Sequence, residues 1–147
     1  MIPITKAFRR PWGERALYLE AFVFLCCSKL QLIFIPFRKL APGFGEPQTE
    51  TAATISPADR QIAVDVSWAV QAVARHLPFR FVCLPQAMAA QRMLRRRGIS
   101  STLYLGVAPD RATPNAIQAH AWLRAGNKIV TGEHEAVRHQ KLASFGR

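Results

Sequence analysis

Two side chains in this sequence have the type and the local setting for nucleophilic chemistry: Cys83 and His120. A thiol attacks a carbonyl carbon well only as thiolate, and the unpaired N–H groups and positive dipole end of a helix N-terminus favour that form. Cys83 stands in FVCLPQAMAAQRMLRRRG, where Pro85 suits a first helical turn and Gly98 a C-terminal stop, so the sulfur is expected at the leading edge of a helix, with Arg80 close by. His120 stands in Ala119-His120-Ala121-Trp122, inside an alternating segment, and its small neighbours let another element approach the ring. An imidazole facing such a thiol serves first as base and then as acid. The plainer alternatives are a buried structural Cys and a satisfied core His.

A third group would orient the other imidazole nitrogen. Asp110, Asn127, Glu133 and Glu135 are the candidates by position, and the order Cys, His, acid favours Glu133. Backbone amides near Leu84 and the side chain of Gln86 are candidate oxyanion donors. Trp122 shares the His120 face of its strand and is a candidate substrate contact. Cys83, His120 and His134 have no ligand-spacing signature, so no metal and no cofactor is expected; His76 and His139 add nothing to such a site.

Positioning these groups requires particular elements. Ser56, Pro57 and Asp59 open a helix whose apolar positions Ile62, Val66, Ala69, Val70 and Val73 recur at helical spacing, and Leu77-Pro78 closes it. Phe79 to Val82 approaches the Cys83 helix, in which Arg95, Arg96 and Arg97 fall in the last turn, where cations complement the dipole. Thr102 to Val107 then alternates as a strand. A loop over 108–115 leads to a second strand, Ile117 to Leu123, and Ala125 to Lys128 turns into a third, Ile129 to Thr131. Leu142 and Phe145 are expected as a last core contact from the tail.

Upstream, residues 16 to 37 are mostly apolar, interrupted by Glu20, Ser28, Lys29 and Gln31 and ended at Pro36. The stretch is long enough to span a bilayer, but a charge near mid-span is costly, and no cleavage site of the signal-peptide kind follows it. It reads as a helix docked on protein or on a membrane surface, with Cys26 and Cys27 as small apolar residues. The expected division is residues 1–45 as basic arm and apolar helix, 46–56 as linker, and 57–147 as the catalytic domain.

Composition limits the rest. The chain has 147 residues, a formal charge of +11 and half its residues hydrophobic, which is enough for one domain with a real core. Its 3 Cys exclude a disulfide-stapled scaffold, and the lack of GxxxxGK[ST] and GxGxxG removes support for a phosphate-cradling enzyme. The charge fits an acidic peptide, an anionic membrane or nucleic acid, but no aromatic-interleaved recognition motif accompanies it, so nucleic acid is not the expected partner. Arg92, Arg95 and Arg96 are the expected partner-docking face. A non-catalytic adaptor for peptide or membrane, and acyl transfer to an amine, stand as rival readings.

The segments FVCLPQAMAAQRMLRRRGISSTLYLGV, AHAWLRAGNKIVTG and LASF together resemble the lasso peptide maturation protease, the protease part of the lasso peptide B protein, a branch of the transglutaminase-like cysteine protease superfamily. The resemblance covers about residues 68 to 145, and Pro36-Phe37-Arg38 is similar to the end of the N-terminal helix of stand-alone members. It implies an α+β fold, with a nucleophile helix packed on a small antiparallel sheet behind an apolar N-terminal helix. It also implies removal of the leader from a ribosomally made precursor peptide, with Cys83 as nucleophile and His120 as general base. The implied partners are a separate leader-binding RiPP recognition element protein and a macrolactam-forming cyclase, in the cytoplasm or at the inner face of the membrane. The family's third member is an Asp after the His strand; no Asp follows Asp110 here, so Glu133, Glu135 or a backbone carbonyl would take its place.

Overall fold

The computed structural model describes residues 12–77, 83–110, 112–133, 136 and 140–147. The expected approach segment Phe79–Val82, with Arg80, and also Glu135, His134 and His139, lie outside the described residues.

Among the described residues, three long helices and one sheet form three layers. Helix α1 (Trp12–Phe34) is followed by a four-residue helix α2 (Phe37–Leu40), a 3-10 turn (Ala41–Phe44) and a two-residue strand β1 (Glu46–Pro47). Helix α3 (Pro57–His76) starts where its residues dictate: Ser56 Oγ accepts the Asp59 amide hydrogen at 3.1 Å and Pro57 occupies the first turn. It ends at an extended Leu77, the conformation a following proline imposes. Helix α4 (Cys83–Arg96) closes on Gly98 at φ +70°, with Gly98 N bonded to Arg95 O at 3.0 Å and Ile99 N to Leu94 O at 3.0 Å, a Schellman end.

The sheet is antiparallel throughout, in the order β1-β5-β2-β3-β4, with β2 (Thr102–Pro109), β3 (Ile117–Ala125), β4 (Lys128–Thr131) and β5 (Gln140–Gly146). The expected 125–128 turn is present, with Gly126 at φ +58°. The tail is more than a core contact. Residues 140–146 form a full strand wedged between β1 and β2, Leu103 opposite Phe145 and Tyr104 opposite Ser144. Phe145 is buried as expected, whereas Leu142 is exposed: the β2–β5 register slips between Leu105 and Gly106, and Leu142 is the unmatched residue of that bulge. The segment expected as a linker is anchored at its start through β1, and Gln48 N bonds Ser144 O at 2.8 Å.

Helix α4 is the middle layer. It packs on α1 and α3 on one side and on β2, β3 and β4 on the other. That position explains its burial from Ala87 to Gln91 and at Met93 and Leu94; Ala87, Ala89 and Ala90 let the neighbours approach closely. Gln91 is buried but satisfied, donating to Phe44 O at 2.7 Å.

Helix α1 sets Ala21, Leu25 and Ser28 into this core, at the spacing of one helical face. Glu20, the acid in the middle of α1, explains itself here. Arg97 grips it with two bonds, at 2.8 and 2.7 Å, and Arg96 adds one at 3.1 Å. Arg92 donates to Gln31, and Arg95 to Gly43 O at 2.7 Å. The arginines expected to dock a partner thus hold the chain's own N-terminal segment against α4, because the apolar face of α1 brings Glu20 and Gln31 beside them.

The Arg97 hydrogen bonds hold the Glu20 carboxyl below its usual value of 4.5, against the opposing effect of burial. A carboxylate depressed in the folded state stabilises above its unfolded value, and that stability is lost as the pH falls through the folded value. Glu20→Ala is expected to lower unfolding free energy by about 1–2 kcal/mol near neutral pH. Urea titration at stepwise lower pH should show the gap between wild type and variant closing below pH 4.5; a gap independent of pH would show that packing, not the ion pair, is what Glu20 supplies.

Candidate active site

Cys83 is the first residue of α4, so it carries no intrahelical obligation for its own N–H and stands at the positive end of the helix. His120 is the fourth residue of β3, half-buried, between exposed Ala119 and buried Ala121. Packing of α4 on β3 brings the two together over 37 residues of sequence: Cys83 Sγ lies 2.7 Å from His120 Nδ1. At that separation a proton can pass between sulfur and nitrogen, which is the relation a thiolate–imidazolium pair needs. Both residues are half-buried.

The strand beside His120 is adapted to it. Gly106 of β2 is its register partner, and Gly106 also sits at the β2–β5 bulge. A Cβ at 106 would lie 2.6 Å from Cη2 and Cζ3 of Trp122 and 2.8 Å from Gln140 O. The indole therefore fills the space a side chain would take, and the fixed backbone carbonyl of Gln140 closes the other side. Trp122 is only 5% exposed and stacks on Tyr104, ring centroids 5.5 Å apart and planes at 16°. Its expected role as a substrate contact is corrected accordingly: the ring is spent on packing across β2 and β3, where it fixes the strand that carries His120. Gly106 itself was not singled out by sequence; a lone glycine inside an alternating strand was the available signal.

Leu84 and Gln86 are half-buried in the first turn of α4, next to the sulfur in sequence. Of the acids and amides considered for the third position, Asp110 accepts the Ala112 amide at 2.9 Å within its own loop, and Asn127 accepts from Arg60 at 2.5 Å. Both are engaged away from the pair. Glu133 is exposed just after β4, and the described hydrogen bonds do not tie it to His120. Among the described residues no three His, Cys, Asp or Glu side chains cluster as metal ligands would.

On the sheet, Tyr104 donates to Glu50 at 2.8 Å and receives Arg124 Nε at 2.9 Å, while Lys141 pairs with Glu50 at 2.8 Å. Burial raises the Tyr104 phenol above its usual value, and the Lys141 and Tyr104 hydrogen bonds hold the Glu50 carboxyl down. Arg124 also donates to Thr51 O at 2.8 Å and Ala52 O at 3.2 Å. This network pins residues 50–52 across the strands; sequence reading found no sign of it, because its members are far apart in the chain.

A family model described as the transglutaminase-like superfamily matches residues 31–144, a span that contains both Cys83 and His120. No curated protein and no solved structure matches the chain.

Iodoacetamide at neutral pH is expected to alkylate Cys83 at least about tenfold faster in wild type than in His120→Ala, since the base is then gone. Peptide mass mapping provides an internal control, because exposed Cys27 should react equally in both proteins. Gly106→Ala should cost about 1–3 kcal/mol by overpacking against Trp122 and slow Cys83 alkylation through displaced His120; a variant with unchanged melting and labelling would show that the sheet absorbs the methyl group.

Proposed function

The chain belongs to the transglutaminase-like superfamily, and from that membership together with the Cys83–His120 contact we propose that it is a cysteine endopeptidase. Its proposed substrate is the precursor of a ribosomally made lasso peptide, from which it removes the leader. The observation that carries the reading is the 2.7 Å approach of sulfur to imidazole at a helix N-terminus. The likeness of the segments around Cys83 and His120 to lasso peptide maturation proteases supports the narrower assignment of substrate.

The reaction runs as follows. The Cys83 proton passes to His120 Nδ1, and the thiolate attacks the carbonyl carbon at the leader–core junction. Amide N–H groups of the first α4 turn near Leu84, with Gln86, stabilise the tetrahedral oxyanion, in keeping with the usual weight of such donors. The C–N bond breaks as His120 gives its proton to the departing core amine. Water, deprotonated by the same ring, then attacks the thioester; the leader leaves as a carboxylic acid and the thiol is restored. Glu133 remains the proposed third member, orienting the imidazole. A separate leader-binding protein of the RiPP recognition type supplies most of the substrate affinity, and a cyclase closes the released core. The site of action is cytoplasmic.

Incubation with precursor and leader-binding protein, read by mass spectrometry, tests this. Wild type should yield leader and core, with one oxygen-18 in the new leader carboxyl when the water is labelled. Cys83→Ala should yield neither product while keeping its fold and partner binding. Retained cleavage by that variant would remove the assignment, and a leader joined to an added amine instead of water would reassign the reaction to acyl transfer.

A further inference from the structure

Helix α1 is apolar on both faces, yet the described residues cover only one. The buried face carries Ala21, Leu25 and Ser28. The opposite face presents Leu19, Phe22, Val23, Leu30, Ile33 and Phe34, each between 40% and 78% exposed. Their spacing of i, i+3, i+4, i+11, i+14 and i+15 makes one continuous stripe along the helix. A stripe of this extent in contact with water is unfavourable at about 25 cal/mol per Å² and marks a surface that meets another apolar phase.

The charge around the stripe decides what that phase is. Exposed Arg38 and Lys39 follow it within five residues, exposed Arg15 stands in the first turn of α1, and Glu20, the acid nearest the stripe, is neutralised by Arg96 and Arg97. With +11 on the whole chain, closing the stripe against a second copy would bring like charges together. An anionic lipid surface supplies both an apolar layer and the opposite charge.

We propose that α1 lies in the plane of an anionic membrane surface, with the Leu19–Phe34 stripe inserted among the acyl chains and Arg38 and Lys39 at the headgroups. The helix is long and apolar enough to cross a bilayer. Crossing, however, would strip Ala21, Leu25 and Ser28 from the α3–α4 core and break the Glu20–Arg97 pair. An in-plane helix keeps all of these contacts.

Flotation of the full chain with vesicles tests the proposal. Vesicles of phosphatidylcholine with about one-third phosphatidylglycerol should carry the protein, and pure phosphatidylcholine should carry much less. Ile33→Asp with Phe34→Asp should reduce partition to the anionic vesicles by about tenfold or more, since charges are costly in the acyl layer. The variant should keep its melting temperature and its Cys83 alkylation rate, because both side chains are exposed on the face opposite Ala21, Leu25 and Ser28. Absence of wild-type flotation, or flotation unaffected by the substitutions, overturns the proposal. So does a stable dimer in sedimentation equilibrium that the same substitutions dissociate, which would assign the stripe to a second copy.

Discussion

The contact between Cys83 Sγ and His120 Nδ1 joins the start of a helix to the middle of a strand, and neither element can hold it alone. Its geometry depends on how deeply α4 is seated. The helix is gripped between two layers, with small alanines where the neighbours come closest and large Met88, Met93 and Leu94 filling the remainder. A helix so confined has little freedom to slide or roll, and a shift of one residue would turn the sulfur away from the ring. Rigidity of this kind is what a nucleophile–base pair requires, since misplacement of reacting groups by about 1 Å can cost a hundredfold in rate.

The strand side has its own safeguards. Trp122 packs over Tyr104 and against the bare backbone of Gly106, so the strand bearing His120 is clamped to its neighbour at its register partner. The last strand of the chain inserts next to β2 and places its bulge at the same glycine. The Glu50–Tyr104–Arg124 network ties the crossing segment 50–52 over the sheet. The last strand and the segment 46–52 thus converge on the strands that present the imidazole, while α1 and its arginine clasp support the helix that presents the thiol.

Much of this was legible in the residues. Ser56-Pro57 and Gly98 mark helix ends by local chemistry, and the alternation after Gly98 marks strands. The two groups now in contact could be picked out by type and neighbours. What escaped was everything set by distant pairing. Seven residues with no strong alternation became β5 because β2 offered an open edge on the side away from β3, between itself and β1. Leu142 has the type and place of a core residue because sequence does not show a bulge, and Trp122 has those of a substrate contact because its stacking partner, Tyr104, is revealed only by register. The arginines of α4 looked like an outward surface, since nothing local indicates that Glu20 and Gln31 would fold back onto them.

In the proposed reaction the sulfur of Cys83 becomes acylated by a peptide carbonyl. Wild-type protein mixed with precursor and leader-binding protein, quenched rapidly in acid and weighed intact, should carry an adduct equal in mass to the leader acyl group. Fragmentation should place it on Cys83, and hydroxylamine should release it. Cleaved precursor accompanied by no adduct in wild type and an undiminished rate in Cys83→Ala, or an adduct located on Cys26 or Cys27, would contradict the account.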